Sequence, residues 1–415
     1  MNVSLWISSR LRTVGGGSKA AVIIAVAGVA LSLAVMEASL AISVGFKDAI
    51  RAKLTGFDAA VTVEAPIRNS DIAATLFLTR TPALDSIVRA NIPSSAELRL
   101  SLRQPGMLKT DDNFQGVVYV GQQPEATFDF ERSCITDGEW PDFAADSCAN
   151  DIVVSESLAR SLGLAKGDKV FSTFIIDGDV KLRRHRIAAL YNSSFGEYDM
   201  TVVFASLGSL QRVAGVDSLT GTRLDIRGIP DADIESRADA LQRGLIGAVA
   251  TRILDEYYPV DNIRHSGALY FNWLSLLDTN VAVILALMFA VAAFTLVSSM
   301  YILILERVRM IGVLRTIGAS GRLVEQVFTG LGMRLLLVGM LIGNIFGTGI
   351  LLVQKYTHAI PLDPDMYYLS YVPVDIRPWA FIALNTGVIV AAWLTLAIPA
   401  RTASRTDPSQ VIARD

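Results

Sequence analysis

The sequence predicts an α+β membrane protein with four transmembrane helices in a 1+3 order and a large α+β periplasmic domain between the first and second. Three observations predict it. Uncharged runs occupy 20–46 (broken only by Glu37), 279–305, 335–354 and 378–400, each close to the roughly 20 apolar residues that cross a hydrocarbon core about 30 Å thick. The segment 47–278 is ordinary in polarity and long enough for one or two folded domains. Hydrophobic residues make up 52% and charged residues 19%, too apolar for a typical soluble chain and too charged for one that lies wholly in the membrane.

The first run follows a basic start, which is also the general form of a cleaved signal peptide. Its length and the lack of a small-x-small cleavage site with a polar follow-on favour a span. Positive charges in short flanking segments set orientation. Arg10, Arg12 and Lys19 precede the first span, Arg307, Arg309, Arg315, Arg322 and Arg334 lie after the second, and Arg401, Arg405 and Arg414 follow the fourth. The 355–377 loop instead carries Asp363, Asp365 and Asp375. Segments 1–19, 306–334 and 401–415 are therefore expected in the cytoplasm, and 47–278 and 355–377 outside it. A net charge of −3 gives no reason to expect nucleic acid.

Within 47–278, Asp58 to Glu64 and Leu98 to Arg103 alternate as strands, Gly116 to Val120 is a short apolar strand, and Asp233 to Ile246 has helical spacing. Asp151 to Val170 parses as strand, capping Ser155, helix stopped at Gly163, turn at Gly167-Asp168, and a second strand. Ile175 and Ile176, Asp177-Gly178 and Leu182 to Ala188 then read as a hairpin. Cys134 and Cys148 are the two cysteines. An oxidising compartment and a turn through Gly138, Trp140 and Pro141 would allow a bridge, and two free, partly buried thiols are the other reading. Three scattered histidines and two cysteines do not suggest a metal site.

There is no G-x-x-x-x-G-K-[ST] phosphate loop: Gly15-Gly16-Gly17-Ser18-Lys19 lacks the first Gly at the needed spacing and the hydroxyl residue after Lys. No nucleophile elbow, H-E-x-x-H or kinase signature occurs either, so catalysis by this chain is not expected. Three features could serve coupling and packing instead. After the second span, Arg309, Ile311, Leu314 and Arg315 lie on a short amphipathic helix that Gly318 ends, and Ser320 can cap the helix that follows. Such a helix either rests on lipid headgroups or docks a partner. Gly339, Gly343 and Gly347 form a small-xxx-small face in the third span, for packing within or between subunits. Glu37, an acid within a span, either faces a substrate cavity or an intersubunit contact, or stays hydrated near the outer interface. The outer ends of the first two spans carry the apolar Phe46, Leu274, Leu277 and Val281.

The chain resembles the FtsX-like (MacB-like) permeases of ABC transporters, and among them the lipoprotein-releasing LolC/LolE type. Four segments carry the resemblance: Gly45-Phe46-Lys47 with Leu54 and Gly56; Asp151 to Val170; Leu276-Leu277-Asp278 through Ala292-Ala293-Phe294 and Glu306-Arg307 to Ile311-Gly312-Val313-Leu314-Arg315-Thr316-Ile317-Gly318-Ala319; and Pro399 to Ser404 with Asp407-Pro408. Tyr367-Tyr368-Leu369 with Val372-Pro373 is similar to the lipoprotein-releasing branch. The resemblance implies a bacterial inner-membrane permease that pairs with a second permease subunit, identical or not. Two copies of a separate ATPase would bind ATP and Mg and dock on Arg309 through Gly318. Lipoprotein would be extracted from the membrane, with Phe46, Leu274, Leu277 and Val281 at the outer ends of the first two spans as the candidate acyl-chain site, and passed to a periplasmic carrier. The permease that recruits the carrier has an extended hook after the second strand; Ile175 to Lys181 is a tight hairpin, closer on this point to the other partner. A MacB-like exporter of peptide or drug, an FtsX-like regulator of a cell-wall hydrolase, and a membrane anchor without an ATPase are the alternatives.

Overall fold

The computed structural model describes residues 18–66, 76–110, 113–123, 129–176 and 178–404. The tails carrying Arg10, Arg12, Gly15 to Gly17, Arg405, Asp407-Pro408 and Arg414 lie outside the described residues, as does Asp177 of the expected hairpin turn. The chain divides into two compact units: residues up to Asp48 with Trp273–Pro361 and Tyr371 onward, and Ala49–Asn272 with Leu362–Ser370.

Four long helices, α1 (Ser18–Phe57), α2 (Ala268–Glu306), α4 (Gly321–Thr357) and α5 (Pro378–Ser404), and a short α3 (Val308–Thr316) carry the apolar runs. Each long helix contains an 18-residue window of mean hydropathy 2.1 to 2.7, long and apolar enough to cross a membrane. The window of α1 is the most buried (39%) and that of α2 the least (11%), so α1 is central in its bundle and α2 peripheral. One core layer joins Ala21, Ala25, Met300, Leu303, Phe328 and Leu396; the next joins Val29, Leu33, Leu296, Leu336, Met340 and Val388. Lipid tails are as apolar as these side chains, so burial alone does not drive helices together, and close contact and hydrogen bonds must. Asn344 and Asn385 supply two such bonds, exchanging their amides between α4 and α5 at 2.9 and 3.1 Å. Gly45 lets the loop before α5 approach α1: a Cβ there would stand 2.8 Å from the Asp375 amide and 2.9 Å from the Pro373 carbonyl. The same amide donates to the Ala41 carbonyl, and Arg377 joins Asp375 to Asp48 of α1.

The second unit is built on a mixed ten-stranded sheet. Its strands are β1 (Val61–Glu64), β3 (Glu97–Lys109), β4 (Phe114–Gln122), β5 (Ile135–Gly138), β6 (Asp151–Ser155), β7 (Lys169–Ile176), β8 (Asp179–Tyr191), β9 (Val202–Ser206), β11 (Arg223–Arg227) and β12 (Val260–Asn262); β2 (Leu78–Thr79) and β10 (Thr220–Gly221) pair apart from it. The order is β12-β1-β11-β3-β4-β9-β6-β8-β5, with β7 pairing β3 and β8. Among the described residues, β4 with β9 and β6 with β8 are the pairs that run parallel in this sheet. The Asp151 to Val170 unit forms as its residues direct: the Ser155 hydroxyl accepts the Leu158 amide at 3.0 Å, and Gly163 closes the helix at φ 67°. The β7–β8 ladder runs to Ile176↔Asp179, which leaves no extension beyond the hairpin. Strand β3 extends to Lys109, well past the alternating Leu98 to Arg103, because its second half pairs with both β4 and β7. Cys134 and Cys148 are free, partly buried thiols, so the bridge is not formed; burial pushes the Cys134 thiol up.

The C-terminal end of α1 is fixed inside this unit. Arg227 of β11 donates to the carbonyls of Gly56 (2.9 Å) and Phe57 (3.4 Å) and is itself paired with buried Glu131 at 3.0 Å. The next residue, Asp58, accepts from Arg103 of β3 at 2.9 Å and from Arg223 of β11. Burial pushes the Asp58 carboxyl up, and the two guanidinium groups outweigh it and hold it below the usual carboxylate range.

A buried polar row ties β4, β7 and β8: the Tyr119 hydroxyl donates to Ser172 Oγ, which meets His185 Nδ1, both at 2.6 Å. Burial, reinforced by Arg183, pushes His185 down to about 4. The imidazole is therefore neutral in the native state and takes a proton more readily when unfolded. Stability is full above about pH 6.5 and falls as pH drops toward 4, by at most about 3 kcal/mol from this residue. Hydrogen exchange of β7 and β8 in the full chain should accelerate over that interval, and His185→Gln should remove this contribution to the slope.

Candidate functional site

The amphipathic segment after α2 forms as its residues predict. Helix α3 ends at Ile317, Gly318 turns the chain at φ 97°, and the Ser320 hydroxyl accepts the Leu323 amide at the start of α4. The division of labour on α3 differs from expectation. Ile311 is 1% exposed and sits in the core layer with Met300, Leu303, Val324 and Phe328, so it is an anchor to its own bundle and cannot be part of a docking face. The exposed face carries Arg309, Val313 (57% exposed) and Ile317 (79%), spaced at i and i+4. Arg315 is half-buried and Gly318 exposed, and the side chain of Leu314 lies outside the described residues. Sequence reasoning missed Val313 and Ile317 because Ile311, Leu314 and Ile317 repeat at three-residue intervals, which conceals which of them turns inward.

The glycine face of α4 packs on α1 of the same chain. A Cβ at Gly339 would stand 2.9 Å from Val29 Cβ, and one at Gly343 would stand 2.8 Å from the Ala30 carbonyl; one at Gly347 would run into Glu37 Oε2. Glu37 is 0% exposed, and among the described residues neither of its carboxylate oxygens has a hydrogen-bond partner. It thus lies against Gly347 inside its own bundle. Phe46 and Leu274 are also buried, Phe46 with its ring edge-on to Trp273 at 5.6 Å. Their size and apolarity serve packing, which removes them from an open acyl-chain site; Leu277 and Val281 are half-buried.

An exposed apolar surface does occur on the second unit. The pairings Phe114↔Lys109, Lys109↔Phe171 and Phe171↔Arg184, then Met107↔Thr173 and Thr173↔Leu182, then Ile175↔Val180, set six exposed apolar side chains on one face of β3, β4, β7 and β8. Directly opposed residues share a face. The other face of the same strands holds buried Leu108, Ser172, Phe174 and His185. A soluble domain seldom exposes so continuous an apolar surface unless something meets it.

Residues 282–408 match the family described as FtsX-like permease C-terminal. The chain carries an FtsX-like permease domain. The match begins within α2 and takes in α3, α4 and α5, the elements that set Val313 and Ile317 on the surface. The permease is 26% identical to the lipoprotein-releasing system transmembrane protein LolC of Xylella fastidiosa (strain 9a5c), over 93% of this chain and 92% of that protein. It is 25% identical to LolC of Neisseria meningitidis serogroup B, over 94% and 93%. The periplasmic region of MacB from Actinobacillus actinomycetemcomitans aligns with a TM-score of 0.34 and 11% identity, over 51% of this chain and 92% of that one. The chain thus resembles FtsX-like permeases over residues 282–408 and LolC proteins over most of its length, and it has four apolar helices with a β-rich domain between the first two.

Gly347→Ala should lower the stability of the permease in detergent by about 1–3 kcal/mol through overpacking. Glu37→Ala in the same chain should recover part of that loss, giving a coupling of at least about 0.5 kcal/mol in a double-mutant cycle read by thermal unfolding.

Proposed function

We propose that the permease extracts lipid-modified proteins from the bacterial inner membrane, driven by a separate ATPase, and passes them to a periplasmic carrier. The full-length similarity to two LolC proteins supports the cargo class. The observation that carries the coupling is the two-sided helix α3, with Ile311 locked into the bundle and Val313 and Ile317 presented outward beside Arg309. A protein pressing on the outer face would displace α2 and α4 together, because Ile311 packs with Met300, Leu303, Val324 and Phe328. Packed cores move between discrete arrangements more readily than they deform.

The glycine face of α4 carries that displacement to α1, which is one uninterrupted helix to Phe57. ATP and Mg would be held by the ATPase, two copies to a pair of permease subunits. The weakly covered α2 is the helix with the most apolar surface left for the second subunit or lipid. The chain would be oriented with both termini and α3 in the cytoplasm, in keeping with the arginines that flank α3.

Two experiments test this reading. Val313→Asp with Ile317→Asp should abolish co-purification of an ATPase from the native membrane while membrane insertion is unchanged; Ile311→Ala should instead destabilise the permease by about 2–5 kcal/mol. In proteoliposomes holding the permease with its co-purified subunits, ATP should release a lipid-modified protein to a soluble carrier. Retention of the cargo under those conditions, with ATP being hydrolysed, would overturn the lipoprotein assignment and favour export or hydrolase regulation.

A further inference from the structure

At the end of α4 nearest α3, a groove of about 540 Å³ opens between α4 and α5, lined by Arg322, Glu325, Gln326, Thr329, Met333 and Trp393. Arg322, Gln326, Thr329 and Met333 recur at intervals of four, three and four residues, so they share one face of α4. The stripe runs about 16 Å along the helix axis, and its character changes on the way, from a guanidinium, an amide and a hydroxyl to a thioether. Gly330, also in the lining, adds no side chain to fill the space. Behind the groove the two helices are in close contact: a Cβ at Gly332 would stand 2.6 Å from Leu396 Cδ2. Trp393, one turn from Leu396, is 59% exposed and supplies the apolar wall on the α5 side.

The flanking runs fix the depth of the groove. The uncharged run of α4 begins at Leu335 and that of α5 ends at Ala400, so the groove straddles the boundary between hydrocarbon and the polar layer beside it. Tryptophan is favoured at that level, where its amphipathic ring meets both acyl chains and headgroups.

Two charges of opposite sign line the polar part. Arg322 is exposed, and among the described residues no carboxylate lies within ion-pair distance of it. Glu325 meets Arg401 at 3.8 Å, beyond hydrogen-bonding distance, and among the described residues its oxygens accept no hydrogen bond. Its lone pairs are therefore open to a further donor. A simple anion would be drawn to Arg322 and repelled by Glu325. A headgroup with a phosphate and a primary ammonium a few bonds apart meets both charges with the right sign.

We propose that this groove binds an aminophospholipid, with the phosphate at Arg322, the ammonium at Glu325, and the start of an acyl chain against Met333 and Trp393. Gln326 and Thr329 are further donors to the phosphate and glycerol oxygens. The site stands whether or not the permease releases lipoprotein.

The test places the full chain, with the subunits that co-purify, in phosphatidylcholine nanodiscs doped with one photoactivatable lipid at a time. The three probes are phosphatidylethanolamine, phosphatidylcholine and phosphatidylglycerol, each with a diazirine near the glycerol end of an acyl chain. Phosphatidylcholine carries a methylated ammonium with no N–H to donate, and phosphatidylglycerol carries no ammonium. Mass spectrometry of digests should find phosphatidylethanolamine adducts between Thr329 and Met333 or at Trp393, several-fold above the other two lipids. Arg322→Gln should lower them about tenfold. Glu325→Gln should bring phosphatidylethanolamine down to the level of phosphatidylcholine, while adducts on α2 stay unchanged in both variants as a control of folding. Inorganic phosphate in the buffer should leave the adducts in place; displacement of the lipid by it would assign Arg322 to a soluble anion and overturn the proposal. Equal labelling by the three lipids, preference for phosphatidylglycerol, or a groove without lipid adducts because a co-purified subunit covers it would each overturn it as well.

Discussion

A helix that leaves a bilayer must find partners for its last carbonyls, and α1 finds them in the β-rich unit. Arg227 takes the Gly56 and Phe57 carbonyls, with buried Glu131 balancing its charge. Asp58 then ties the chain to β3 and β11 through Arg103 and Arg223. A cation at a helix C-terminus is favoured by the helix dipole, and more so where water is excluded. Because β3 and β11 are adjacent strands in the middle of the sheet, the end of the first membrane helix is held by the core of the domain and cannot hang from a surface loop.

The membrane bundle follows a different physics. Burial against lipid gains little, so the helices rely on close approach at Gly339, Gly343 and Gly347 and on the Asn344–Asn385 amide pair. Glu37 is the exception to economical packing. An acid deep in a span costs roughly 2.5–3.5 kcal/mol on insertion scales, and here it is buried, with no hydrogen-bond partner among the described residues, against the glycine that makes room for it. The contact joins α1 to α4 within the bundle.

Local chemistry made much of the fold legible before any coordinates. The Asp151 to Val170 unit could be parsed because Ser155 and Gly163 act on their immediate neighbours, and the same holds for Gly318 and Ser320 around α3. The site was legible only as a segment. Ile311 and Ile317 are both apolar residues on one short helix, and which faces inward depends on Met300, Leu303 and Phe328 from other helices. Phe46 and Leu274 looked available for substrate for the same reason: burial is a property of neighbours distant in sequence.

The sequence by itself determined the number and order of the apolar helices, the α+β character of the intervening domain and the caps that begin and end several elements. Those features depend on run length, periodicity and contacts within a few residues, which the chain carries locally. Only the tertiary structure decided that the glycine face meets α1 of the same chain, that Glu37 is enclosed, that the cysteines stay apart, and that Val313 and Ile317 face outward. Each of those depends on which distant surfaces the fold brings together, and one-dimensional spacing does not encode that choice.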